Sequence, residues 1–126
     1  MKFAVIPLTA FLVLAPCASF AHGEAPRAAH GGLIQEAQEL WLELVVKGED
    51  VTVYVLDEAR KPVSASQVSG SATLLIDGKS YKVDLSPAGE DSVQGKLPVP
   101  AAGRIVAVLS LKIVSKSISA RFTSGS

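Results

Sequence analysis

The sequence predicts an all-β domain, an antiparallel sandwich of seven to eight strands, on three observations. Segments of alternating or continuous apolar residues recur every eight to twelve residues, turn-forming residues separate them, and no stretch carries a helical period. That pattern fits an immunoglobulin-like sandwich, with a small closed barrel as the alternative. The Cys-Trp-Cys spacing of antibody domains is absent, so the architecture alone is implied.

Residues 1–21 read as a secretory signal. Lys2 gives a positive start, Phe3 to Ala15 an apolar run, and Ser19-Phe20-Ala21 puts small residues at the two positions a signal peptidase reads. The run is shorter than the roughly 20 apolar residues that cross a bilayer and contains Pro7 and Thr9, so no membrane span is expected after processing. The alternative is a lipoprotein acylated at Cys17, for which Pro16 is an awkward neighbour. Cleavage after Ala21 would deliver to the periplasm a mature chain beginning at His22.

That cleavage removes the one Cys and the one Met, so the mature chain has no disulfide in a compartment that permits one. About 100 residues remain, enough for one domain. Its core must come from Val, Leu and Ile, each buried side chain contributing about 1.5–3 kcal/mol against a comparable total ordering cost. Charge is balanced, with 12 Lys and Arg against 12 Asp and Glu before Lys2 is lost. No basic face points to nucleic acid.

His22 to Gly32 has little apolar periodicity and reads as a flexible lead-in to a domain over residues 33–123. Leu33 to Glu36 fits a short edge strand. Leu40 to Leu56 is a hairpin: Leu40, Leu42, Leu44 and Val46 fall on one face of the first strand, Trp41, Glu43 and Val45 on the other, and Lys47 to Asp50 forms the turn before Val51, Val53 and Val55. Asp57 to Pro62 is a charged loop, and the serine-rich Val63 to Gly70 suggests a short irregular strand. Asp77-Gly78 suits a tight turn with φ > 0 between strands at Ser71 to Ile76 and Ser80 to Leu85. Ser86 to Asp91 is a further turn, Val93 to Val99 a short strand, Arg104 to Val114 a central strand and Ile118 to Phe122 the last.

Chemistry is constrained by the side chains on hand. Only two histidines exist, His22 and His30, and both fall in the lead-in, so no rigid scaffold holds an imidazole for nucleophilic catalysis. Glu49-Asp50, Asp57-Glu58 and Glu90-Asp91 sit in turns, where solvated charge is the ordinary role. No catalytic residue is expected, and the protein is not read as an enzyme; a copper redox enzyme using His22 lacks a visible supporting ligand. Metal binding is the sharper expectation. A mature α-amine beside His22, with His30 eight residues on, offers nitrogen ligands suited to Cu(II) or Zn(II), and Glu24 or Glu36 offers oxygen. Soft Cu(I) chemistry is disfavoured without Met or Cys. The plain alternative makes both histidines solvated residues of a tail, and gives Trp41 and Tyr54 a packing role across the hairpin.

Several short motifs resemble a known family. His30-Gly31-Gly32, Leu40-Trp41-Leu42-Glu43-Leu44-Val45, Val53-Tyr54-Val55 with Asp57, Lys61-Pro62-Val63 and Ser86-Pro87-Ala88-Gly89 are similar to the N-terminal periplasmic domain of adaptor (membrane-fusion) subunits of heavy-metal efflux pumps and to small stand-alone periplasmic relatives. The resemblance implies a β-sandwich that binds or delivers copper, zinc or cobalt-type ions to an efflux complex, and of the site residues it carries over only His30. This chain lacks the denser histidine run such adaptors often have before that motif, and reads Pro98-Val99-Pro100 where a further histidine is common. The resemblance extends to that one domain, and residues 1–126 have no counterpart of the coiled-coil and barrel domains of such adaptors. A non-metal interaction module of a cell-envelope complex is the alternative function.

Overall fold

In the computed structural model, which describes residues 25–124, eight strands follow one another along the chain. They are β1 (Leu33–Ala37), β2 (Leu40–Lys47), β3 (Asp50–Leu56), β4 (Val68–Ile76), β5 (Lys79–Pro87), β6 (Ser92–Lys96), β7 (Ile105–Ile113) and β8 (Lys116–Thr123), with a single 3₁₀ turn at Ala65–Gln67 before β4. Every pairing is antiparallel, in the order β1-β2-β3-β6-β5-β4-β7-β8. The expected all-β architecture is present. It is one continuous sheet, folded so that β1 returns alongside β8 and nearly closes it.

Alternation builds the core. Leu42 and Leu44 on β2 and Val51, Val53 and Val55 on β3 pack against Ala72, Leu74 and Ile76 on β4, Ala107, Leu109 and Leu111 on β7, and Ile118 and Phe122 on β8. Leu42, Val51, Leu74 and Leu109 are fully buried. Strands β4, β5 and β6 are joined in succession, and the longer connections set β3 beside β6 and β7 beside β4, which gives two overlapping Greek keys. The sheet folds over at β5, which pairs with β4 from Gly70 to Ile76 and with β6 only through Ser86 and Pro87. Gly95 on β6 makes that fold possible, because a Cβ there would meet Val83 Cγ1 and lie 2.5 Å from the Asp84 carbonyl oxygen.

The turns follow local chemistry. Asp77 and Gly78 both have positive φ between the closing pair Ile76 and Lys79, as the sequence predicts. Gly48, at φ +58, opens the two-residue turn from β2 to β3. The expected strand Val93 to Val99 is shorter: it ends at Lys96, because Pro98 brings no N–H to a ladder. Leu97 beyond it stays buried and donates its N–H to the Glu49 carbonyl at 2.8 Å. The Val63 to Gly70 stretch divides into the 3₁₀ turn and the start of β4. Arg104 to Val114 supplies β7, the inner neighbour of β8, as its doubly apolar start predicts.

Candidate functional site: a histidine clasped by a buried carboxylate

The site begins with a residue out of pattern. Glu43 lies in the middle of β2, on the face turned away from the core, between Trp41 and Val45, yet it is only 6 % exposed. A carboxylate that far out of water needs donors. Three are present. The backbone N–H groups of His30 and Gly32 each donate to Glu43 Oε2 at 2.9 Å, and His30 Nδ1 lies 2.9 Å from Oε1.

The His-Gly-Gly sequence makes this arrangement possible residue by residue. His30 provides an amide and an imidazole to the same carboxylate. Gly31 turns the chain at φ +76, with its N–H on the Ala28 carbonyl at 3.2 Å. Gly32 sits so close to the backbone of Leu44 that a Cβ would strike that carbonyl oxygen. The imidazole also stacks on Tyr54, ring centroids 3.6 Å apart and planes 3° from parallel. Tyr54 is the cross-strand neighbour of Glu43 on β3, so one ladder row supplies both the carboxylate and the stacking ring.

Burial works to raise the Glu43 pKa and is the largest single influence on it. The hydrogen bonds from the His30 ring, from the Gly32 N–H and from the His30 N–H, with the charge interaction with His30, together outweigh it and bring the value below the ordinary 4.5. Glu43 is therefore a carboxylate at neutral pH and can only accept. The proton between it and the imidazole belongs to Nδ1, which leaves Nε2 of neutral His30 with the lone pair. The His30 side chain as a whole is 44 % exposed.

The end of the lead-in thus lies over the outer face of β2 and β3. Between them is a cleft of about 120 Å³ lined by Arg27, Ile34, Trp41, Tyr54, Leu56 and Pro62 among others, with the Arg60 guanidinium 5.8 Å from the Trp41 ring centroid. Trp41 and Tyr54 do not form the cross-strand pair that the sequence suggests. Trp41 stands opposite Leu56, and Tyr54 has taken His30 as its partner.

Of the residues read from sequence as metal ligands, His30 is fixed on the domain as described, whereas His22 and Glu24 lie outside the described residues, as do the leader and Cys17. Glu36 stands on β1 opposite Trp41, while Ile34 is the residue opposite Glu43. Among the described residues no three of His, Cys, Asp and Glu are grouped to hold a metal ion. The residue that sequence reasoning missed is Glu43. Its signal was a single carboxylate between Trp41 and Val45 on a strand that is otherwise apolar up to Lys47. No family model, no curated protein and no solved structure matches the chain. Among the described residues no helix is long and apolar enough to cross a membrane.

Proposed function

We propose that this protein is a non-enzymatic periplasmic accessory of heavy-metal resistance or efflux, which holds a divalent ion of the copper, zinc or cobalt class through His30 and the processed N-terminal His22. One observation carries the reading: the His30 ring is held on the domain by Glu43 at Nδ1 and by the stack on Tyr54, which leaves Nε2 of the neutral ring as the nitrogen with a free lone pair. A carboxylate on the far nitrogen is what metal-binding histidines ordinarily need, and it raises the basicity of the coordinating one. The efflux complex as partner rests on the family resemblance of the His-Gly-Gly and Leu40 to Val45 motifs.

Titration with Cu(II) and Zn(II) tests this, read by calorimetry and, for copper, by its ligand-field absorption. Glu43→Gln is expected to weaken binding by about 10- to 100-fold, the usual effect of removing an outer-shell carboxylate, and His30→Ala to weaken it further. Affinity unchanged in His30→Ala overturns the site.

A further inference from the structure

The chain is balanced in total charge, but its charges are divided. Residues 68–87 and 104–124, which form β4, β5, β7 and β8, carry Lys79, Lys82, Arg104, Lys112, Lys116 and Arg121 against only Asp77 and Asp84. The other described residues carry five Lys and Arg against nine Asp and Glu. One half of the sheet is therefore positive and the other negative. The lead-in lies over the outer face of the negative half, on β2 and β3.

The outer face of the positive half is open. Register sets two rows of side chains across it, Lys82, Thr73, Val108 and Arg121 in one and Ser80, Leu75, Val106 and Thr123 in the next, each running over β5, β4, β7 and β8. All are exposed except half-buried Val106. Among the described residues only three large apolar side chains are exposed, and two of them, Leu75 at 45 % and Val108 at 38 %, adjoin diagonally here beside Val106. Lys82 and Arg121 stand at the two sides of this patch. Among the described residues neither has an ion-pair partner.

We propose that this face docks an acidic amphipathic helix of a partner protein, laid along β4 and β7 with its apolar stripe on Leu75, Val106 and Val108 and its flanking carboxylates on Lys82 and Arg121. The dimensions agree. Three strand spacings put Lys82 and Arg121 about 14 Å apart, and a helix with its side chains is about 10–12 Å across. An apolar stripe bordered by acid on both sides is the complement of an apolar centre bordered by cations. A second copy does not supply it: the same face would set like charges together, and the longest helix among the described residues is the 3₁₀ turn Ala65–Gln67. A lipid surface fits less well, because hydroxyls of Thr73, Ser80 and Thr123 share the two rows with the apolar side chains and would be buried with them. The proposal stands apart from metal binding and does not depend on it.

The test uses the whole protein and a fluorescent synthetic helix of about 18 residues, with a leucine stripe and glutamates along both flanks, read by anisotropy. Saturable binding that weakens as salt is raised is expected. Lys82→Glu combined with Arg121→Glu is expected to lower affinity at least about tenfold and to favour the lysine counterpart of the peptide. Leu75→Ser combined with Val108→Ser is expected to lower it at least about tenfold. All four side chains are exposed, so these replacements leave the core as it is. The proposal is overturned by no saturable binding up to about 1 mM peptide, by affinity indifferent to either pair of replacements, or by phosphatidylglycerol vesicles binding more tightly than the peptide, which would make this a lipid-facing surface.

Discussion

A single carboxylate decides how the lead-in meets the domain. Glu43 has a depressed pKa in the folded protein and an ordinary one in the unfolded chain, so its contribution to stability is present above about pH 4.5 and is lost as the pH falls through the lower folded value. Wild type and Glu43→Gln are therefore expected to differ in denaturation midpoint at neutral pH and to converge in strong acid; a difference that persists there would refute the assignment. Glu43→Ala also removes the acceptor of the His30 and Gly32 N–H groups, which pass to water as the lead-in comes free, and is expected to cost about 1–3 kcal/mol at pH 7 by urea denaturation. A second residue carries strain without evident use. Val114 is β-branched, 68 % exposed and held at φ +60 in the turn between β7 and β8. Val114→Gly keeps the N–H that Val114 gives to the Gln67 carbonyl and relieves the backbone, so it is expected to stabilise by about 1 kcal/mol, or a Tm rise of roughly 4–8 °C.

Among the elements, the hairpins were the legible part. Two-residue periodicity in Leu40 to Leu56 and the Asp77-Gly78 turn are local properties of the chain, and each strand formed where its pattern lies. What local pattern did not reveal is the place where the sheet folds over, because that depends on contacts between strands distant in sequence. Gly95 shows why: its sequence neighbours read as ordinary strand, and only the approach of Val83 and Asp84 from β5 makes glycine necessary. Gly95→Ala is expected to destabilise by about 1–3 kcal/mol, since the Asp84 carbonyl is backbone and cannot swing aside. Guanidinium denaturation that finds it neutral would mean that β5 and β6 do not cross as described.

For the molecule as a whole, the candidate site was half visible. The His-Gly-Gly motif drew attention to His30, but the sequence reading set it on a lead-in, because nothing in Ala25 to Gly32 has the period of a strand or helix. Its attachment is by polar groups on the side of the sheet opposite the core, which hydrophobic patterning cannot report. The sole tryptophan senses this attachment. Trp41 is 7 % exposed although it faces away from the main core cluster, and the groups around it come from the lead-in and from the loop after β3, Arg27, Arg60 and Pro62 among them. Loss of the His30 to Glu43 clasp should free the lead-in while the ladder that holds Trp41 opposite Leu56 stays intact. Glu43→Ala and His30→Ala are thus expected to shift Trp41 emission to longer wavelength and to speed tryptic cleavage after Arg27, with the β-sheet circular dichroism unchanged. Emission and cleavage as in wild type would show that packing on Trp41 alone secures the lead-in, and the carboxylate would then be explained only by what His30 binds.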